Sequence, residues 1–275
     1  MGMYFVKDWY CKPYKKTYQG IWVPKTWNEF AYISGNNIWT DGTDIYYSSS
    51  AYQYVLDKST STWSEKTWDG LTSFHGQYIW TDGTDIYYTY SAGTSSRINK
   101  VLNKNGSTWT NKTWRGALAN ETIYGYAIWH PDNDRTFYSI QGKSYWLNKD
   151  TSSWTKFSSS PTNLSGNNIW TDGENIYYSY YQQYNVPYHY VLTDVNNFTW
   201  TSKTWNYNYF SGSRVWTDGT DIYYSSSTDQ YVLDKATSTW VAKTWQGLTS
   251  FYGSLVWKDG DHIYYSDNGI NYELT

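Results

Sequence analysis

A ten-residue phrase recurs six times along the chain and limits what it can fold into. Its first copy, from Ile38 to Tyr47, reads Ile-Trp-Thr-Asp-Gly-Thr-Asp-Ile-Tyr-Tyr. The tryptophan of each copy recurs at spacings between 41 and 49 residues, as Trp39, Trp80, Trp129, Trp170, Trp216 and Trp257. A repeat of this length predicts a propeller, a solenoid or another array of small units that pack against their neighbours.

The phrase itself predicts a β-hairpin. Branched and aromatic residues flank an Asp-Gly pair, and this pair favours the positive φ angles of a tight hairpin turn. Five of the six copies keep Asp-Gly, and the third has Pro131-Asp132-Asn133-Asp134 in its place. Those residues are also typical of turns, so a hairpin is expected in every copy.

Further anchors follow each hairpin and complete a unit of four short strands. A Tyr-Val-Leu-Asp segment stands at Tyr54–Asp57 and again at Tyr231–Asp234. A later tryptophan opens the fourth strand, and in most copies a Lys-Thr-Trp motif ends five residues beyond it. No run of apolar residues has helical spacing, so the sequence predicts no helix.

The two ends of the chain complement each other. Residues 18–28 match a fourth strand that precedes any first strand, whereas residues 253–275 stop after a third strand. This pattern predicts that the N-terminal strand completes the last blade and closes a ring. We expect an all-β fold, a six-bladed β-propeller over residues 18–275, with residues 1–17 as an N-terminal extension. The blades are predicted at 31–70, 76–116, 124–160, 166–207, 212–247, and 253–275 plus 18–28.

The order of these anchors resembles the kelch repeat: an aromatic second strand, then Tyr-Val-Leu-Asp, then Thr-Trp opening the fourth strand. Kelch units form four-stranded propeller blades, so the resemblance implies the same architecture here. The family's paired glycines after the second strand are replaced, by Ser48-Ser49, Thr89-Tyr90, Ser179-Tyr180 and Ser225-Ser226. The resemblance also makes an intracellular kelch-type adaptor one alternative function.

Composition narrows the functional classes. Aromatic residues make up 22% of the chain, and because most tryptophans follow the repeat, we expect Trp39, Trp80, Trp170 and Trp216 between blades. The net charge is −3 and no basic run exists, so neither nucleic-acid binding nor membrane insertion is predicted. No signal peptide is recognisable in residues 1–20. A virion or extracellular location is nevertheless favoured.

Residues that could carry catalysis occupy non-equivalent positions. The four histidines lie at four different points of the repeat, so they would not converge at a propeller axis: His75, His130, His189 and His262. The repeated aspartates could form a calcium ring, but turn geometry alone explains them. The resemblance to kelch-type oxidases would require a Cys–Tyr crosslink and copper, and the single cysteine, Cys11, lies outside the repeats. We predict no catalytic residue, metal or cofactor. A glycan-active hydrolase, lyase or oxidase with an axial site is the alternative.

The loops between the second and third strands carry the candidate binding residues. Because strands alternate in direction, these loops should share one face with the connections between blades. Two loops are long, Thr89 to Lys100 in blade two and Ser179 to Tyr190 in blade four. With the connection after blade four they supply the predicted binding residues: Tyr90, Arg97, Tyr180, Tyr181, Tyr184, Tyr188, His189, Tyr207, Tyr209 and Phe210.

Tyrosine combines a large contact area with a polar tip, which suits recognition. We therefore expect a non-enzymatic recognition or assembly module. Its predicted partner is a surface glycan or a protein subunit of a larger assembly. The Ser-, Thr-, Asn- and Tyr-rich composition resembles phage tail-fibre and other virion proteins and bacterial adhesins, and it favours those roles.

Overall fold

The computed structural model describes residues 18–28, 30, 32–91, 97–119, 121–132, 134–157, 161, 163–182 and 186–275. These residues form six separate sheets, each with a core of four antiparallel strands that pair in sequential order. The chain is an all-β, six-bladed propeller, as the sequence predicts. In each blade the first strand follows a short 3₁₀ turn, and the last strand lies at the outer edge of the sheet.

The first three blades have the following strands. Blade one contains Ile38–Thr40, Ile45–Ser50, Tyr52–Asp57 and Thr62–Glu65. Blade two contains Ile79–Thr81, Ile86–Ser91, Arg97–Asn103 and Thr108–Asn111. Blade three contains Ile128–Trp129, Phe137–Ile140, Lys143–Asn148 and Ser153–Phe157. The short strands Phe74–His75 and Arg115–Gly116 precede blades two and three and pair with blades one and three respectively.

The other three blades complete the ring. Blade four contains Ile169–Thr171, Ile176–Gln182, Val186–Asp194 and Thr199–Ser202. Blade five contains Val215–Thr217, Ile222–Ser227, Asp229–Asp234 and Thr239–Ala242, and the short strand Phe251–Tyr252 pairs with it. Blade six contains Val256–Asp259, His262–Asp267, Ile270–Leu274 and, from the other end of the chain, Trp22–Pro24.

The predicted ring closure is confirmed by the pairing in blade six. Trp22 lies opposite Leu274 and Pro24 opposite Tyr272, in an antiparallel register. The amide of Gly20 also donates a 3.0 Å hydrogen bond to the carbonyl oxygen of Thr275. The first and last described segments therefore share one sheet, and no blade is left with an unpaired third strand.

The Asp-Gly turn is fixed by its own aspartate. In blade one, Oδ1 of Asp41 accepts hydrogen bonds from the amides of Thr43 and Asp44, at 2.9 and 2.8 Å. Its Oδ2 accepts a 3.0 Å bond from the hydroxyl of Tyr46, and φ of Gly42 is +95°. Three other blades repeat the bond from tyrosine to aspartate: Tyr87 to Asp82, Tyr177 to Asp172 and Tyr223 to Asp218. Turn geometry thus accounts for the repeated aspartates.

A triad of tryptophans fills five of the six contacts between neighbouring blades. Each triad takes one ring from a first strand, one from the Lys-Thr-Trp motif that follows it and one from the fourth strand of the next blade. In the triad of Trp39, Trp68 and Trp109 the ring centroids lie 5.5–6.1 Å apart. The predicted burial is confirmed: Trp39, Trp80, Trp170 and Trp216 are at most 4% exposed. Packing of flat rings therefore joins each blade to the next.

The contact between blades three and four is built differently. Trp129 packs there against Phe137, at 4.9 Å, and against Trp200, at 6.1 Å. Phe157 and Phe198 lie 4.3 Å apart, where other contacts have the Lys-Thr-Trp ring. Blade three is thus the irregular blade, and phenylalanines supply the volume that its missing tryptophan would fill.

A buried hydrogen bond gives the hydroxyl residue in the second strand of each blade a structural role. In every blade the indole N–H of the first-strand tryptophan donates to a hydroxyl in the second strand, at 2.8–3.0 Å. The acceptors are fully buried: Ser48, Thr89, Ser139, Ser179, Ser225 and Ser266. A glycine at these positions would leave a buried donor without a partner, which is costly.

Helical structure in the described residues consists of 3₁₀ turns of three residues each. None of these turns is long enough to cross a membrane.

Candidate ligand-binding face

The propeller has two faces with different loops. One face, called here the hairpin face, carries the connections between second and third strands and the connections between blades. The two kinds of connection touch directly, since Ser49 pairs with His75 and Ser50 with Phe74. The opposite face carries the Asp-Gly turns, and there Lys58 of blade one forms a 2.9 Å ion pair with Asp259 of blade six.

Six 3₁₀ turns form a closed ring around the axis on the hairpin face, and each contacts the next. Their bounds are Gly35–Asn37, Gly76–Tyr78, Gly125–Ala127, Gly166–Asn168, Gly212–Arg214 and Gly253–Leu255. A Cβ atom on any of these glycines would overlap a carbonyl oxygen of the preceding turn. Glycine at the start of each turn therefore lets the backbones meet at the axis.

Exposed aromatic side chains gather on the hairpin face. Tyr32, Tyr209 and Tyr252 lie in connections between blades, and Tyr52 lies at a hairpin; they are 72%, 55%, 38% and 62% exposed. Among the described residues, the large exposed aromatic side chain away from this face is Trp146, in the third strand of blade three. Side chains of this kind are typical of recognition surfaces.

The blade-four part of the predicted site forms a connected group with the neighbouring connection. Tyr181 meets Tyr209 edge to face, with ring centroids 5.5 Å apart. Tyr207 stacks on Tyr231 at 4.1 Å, and burial together with neighbouring ionisable groups raises the pKa of Tyr207. These contacts hold the exposed ring of Tyr209 above a half-buried layer.

Tyr180 and Tyr188 lie opposite each other on neighbouring strands of blade four. Both are half-buried and pack against the core between blades three and four. They support the surface and present part of each ring to solvent. Tyr184, also a predicted binding residue, lies outside the described residues.

The structure corrects the predicted role of His189 and Phe210, which lie in the core. Phe210 is 1% exposed, and the ring of His189 stacks on it at 4.6 Å. Nε2 of His189 lies 3.0 Å from the carbonyl oxygen of Asn208, and burial lowers the pKa of the imidazole. Gln53 and Gln230 hold the equivalent position in blades one and five and also bond to the connection between blades. His189 is therefore a structural link.

In blade two the predicted residues lie at the base of the long hairpin. Arg97 is exposed and pairs with Ser91 across the two strands. Tyr90 is half-buried, and its ring lies 4.6 Å from the ring of Tyr78, which belongs to the second 3₁₀ turn.

Tyr90 belongs to a tyrosine cluster that the sequence analysis missed. The cluster consists of Tyr78, Tyr90, Tyr124 and Tyr126, which come from blades two and three. A comparison of repeats would have indicated it, because the turns of blades one and four carry asparagines where this pair of turns carries Tyr78 and Tyr126.

Charge is sparse on the axial ring. Arg214 is the charged side chain within the six turns, and it donates a hydrogen bond to Ser226. Its guanidinium also lies 5.0 Å above the ring of Tyr252. In the part of the chain that the structure describes, no three His, Cys, Asp or Glu side chains form a metal-binding group.

Solved propeller-containing structures share this architecture. The extracellular domain of a proposed one-component system from B. thetaiotaomicron matches with a TM-score of 0.52 at 13% identity, over 86% of this chain and 31% of that one. The extracellular domain of a proposed hybrid two-component system from the same organism matches with a TM-score of 0.54 at 11% identity, over 86% of this chain and 33% of that one.

At these identities the likeness concerns the fold, and the chain spans about a third of the length of those structures. No protein-family model and no curated protein matches the chain.

Proposed function

We propose that the chain is a non-enzymatic recognition module whose partner binds the hairpin face over the arc of blades two to four. The observation that carries the proposal is the group of tyrosines beside blade four, where Tyr181 meets the exposed ring of Tyr209 and Tyr207 stacks on Tyr231. Large aromatic residues with polar tips commonly supply the anchors of binding surfaces, because they bury much area at low entropy cost.

Strand lengths favour this arc over the rest of the face. The second and third strands of blade four have seven and nine residues, whereas those of blades one and five have six each. The third strand of blade two is also longer, with seven residues. The longer strands carry these two hairpins further out than their neighbours.

The class of partner follows from the side chains that the hairpin face exposes. Tyrosine rings and hydroxyls suit a surface glycan or a protein subunit of a larger assembly. The two structural neighbours are extracellular domains of proposed sensory systems, which supports a ligand-binding role outside the cell. Within that role, the Ser-, Thr-, Asn- and Tyr-rich composition favours a virion or tail-fibre component or an adhesin.

The test removes two rings of this group, the half-buried Tyr181 and the exposed Tyr209. We expect the double variant Tyr181→Ser, Tyr209→Ser to keep its unfolding transition and to weaken binding to a printed glycan array or to a panel of bacterial cells. Val241→Ser is the matched control, because Val241 is 50% exposed on the outer strand of blade five. Binding that survives the double change, or that maps to the Asp-Gly face, would contradict the proposal.

A further inference from the structure

We propose that a neutral oligosaccharide binds at the tyrosine cluster of Tyr78, Tyr90, Tyr124 and Tyr126, beside the axial ring and between blades two and three. This inference rests on the proposed recognition function and specifies both its site and its ligand class.

The cluster is a connected group of rings contributed by two blades. Tyr78 lies 4.6 Å from Tyr90 and 5.9 Å from Tyr126, between ring centroids. Tyr124 stacks on Tyr126 at 5.4 Å with an interplanar angle of 26°. All four side chains are half-buried, so the cluster is held in place while each residue still presents part of its surface.

The phenols of the cluster also influence one another electrostatically. Burial raises the pKa of Tyr78, and the neighbouring phenols of Tyr90 and Tyr124 raise it further. Burial likewise raises the pKa of Tyr126, with added contributions from Tyr124 and Tyr78. The hydroxyls of Tyr78 and Tyr126 therefore stay protonated at neutral pH. They can both donate and accept hydrogen bonds, as sugar hydroxyls require.

The fold does not require tyrosine at these positions. The turns of blades one and four have the same three-residue geometry with asparagines at both places: Asn36, Asn37, Asn167 and Asn168. At the position of Tyr90, blade one has Ser49 and blade five has Ser226. The position of Tyr124 is likewise held by Ser34, Ser165 and Ser211 in blades one, four and five. Because small polar residues fill these positions in other blades, four tyrosines at one junction indicate a demand other than stability.

The surroundings favour a neutral ligand over an acidic one. Apart from Tyr78 and Tyr126, the second and third residues of the 3₁₀ turns around the axis are amides, small hydroxyl residues, Ala127, Leu255 and Arg214. The side chain of Arg214 contacts Ser226 and Tyr252. His75 meets Tyr78 edge to face at 6.2 Å, and burial lowers the pKa of that imidazole, which keeps it neutral. Exposed charges flank the cluster: Arg97 at the base of the blade-two hairpin, Lys143 at the blade-three hairpin and Glu121 in the connection before Tyr124. Acidic sugars are therefore one arm of the test.

The experiment measures binding of defined sugars to the full chain by calorimetry. The neutral probes are maltohexaose, cellohexaose, mannohexaose and chitohexaose. The acidic probes are polygalacturonate and sialyllactose. We expect a neutral probe to bind, and Tyr78→Asn and Tyr126→Asn each to lower its affinity about tenfold or more.

Matched variants separate binding from folding. Tyr126→Phe keeps the ring and removes the hydroxyl, and it should lose part of the affinity without a change in the unfolding midpoint. Tyr52→Ser removes a tyrosine that is 62% exposed on the hairpin face of blade one, and it should leave affinity unchanged.

The inference is overturned if no neutral probe binds, if an acidic probe binds best, or if Tyr126→Asn and Tyr126→Phe both keep wild-type affinity. It is also overturned if no sugar binds and the chain instead binds a protein partner whose binding the cluster variants abolish. Loss of binding in the Tyr181→Ser, Tyr209→Ser variant, with the cluster variants unaffected, would retain the proposed recognition function and reject this site.

Discussion

Replacing Ser225 by alanine tests whether the tryptophan–hydroxyl bond supports each blade. Ser225 and Trp216 are both fully buried, and the indole nitrogen lies 2.9 Å from the hydroxyl oxygen. The change removes the acceptor and leaves a buried N–H without a partner, which costs about 1–3 kcal/mol. The lost volume is one oxygen atom, so the loss of the hydrogen bond should dominate the change in the free energy of unfolding.

The assay is urea unfolding followed by tryptophan fluorescence and circular dichroism. Thermal unfolding should show a decrease in Tm of about 2–4 °C for each kcal/mol, as for domains of similar size. Ser225→Thr is the matched control, because Thr89 accepts the same bond in blade two at 2.9 Å. We expect this control to lose much less stability than the alanine variant.

A double-mutant cycle isolates the bond itself. Trp216→Phe removes the donor, and in that background Ser225→Ala should cost almost nothing further. The expected coupling free energy is about 1–2 kcal/mol. The reasoning is refuted if Ser225→Ala costs less than about 0.5 kcal/mol, the range of an ordinary surface change, or if it costs the same in both backgrounds.

Three further predictions concern the packing, the closure and the response to pH. Trp80→Ala should lower the free energy of unfolding by about 3–5 kcal/mol in urea titrations, because the indole is 1% exposed between two blades; a cost near zero would contradict the packing described above. Deleting residues 1–28 should abolish cooperative thermal unfolding, because it removes the fourth strand of blade six; a truncated chain with unchanged Tm would argue against closure. Burial lowers the pKa of His189, so as the pH falls below about 6.5 the unfolded chain takes up a proton first and the folded state loses stability. His189→Gln, which copies Gln53, should reduce the loss between pH 7 and pH 5 in urea titrations, and equal slopes in both proteins would contradict this.

Most of the fold could be predicted from the sequence, because local turn chemistry and the repeat indicate it. Asp41 and Gly42 act within a few residues of each other, so the turn that they form could be predicted without knowledge of the rest of the chain. The N-terminal match to a fourth strand, which includes Trp22, likewise identified the closing segment, and the missing fourth strand of the last repeat identified its partner near Leu274. Such features follow from the sequence because they depend on neighbours along the chain or on an exact repeat.

The burial of the first-strand tryptophans could be predicted, but their hydrogen bonds could not. Trp39 and Ser48 are nine residues apart, on two strands, and only the register of the hairpin places the hydroxyl beside the indole nitrogen. The sequence showed a serine or threonine at this position of every repeat, and the structure supplies the reason for it. His189 and Phe210 show the opposite error, since loop position indicated exposure and the blade contact buries them.

The candidate site depended on tertiary structure most of all. Tyr78 and Tyr126 belong to different repeats, and they meet because successive blades bring their 3₁₀ turns together around the axis. The repeat determined by itself that the chain forms blades and that these close into a ring. Only the ring's geometry decided which side chains converge, because convergence depends on the packing between blades and not on spacing along the chain.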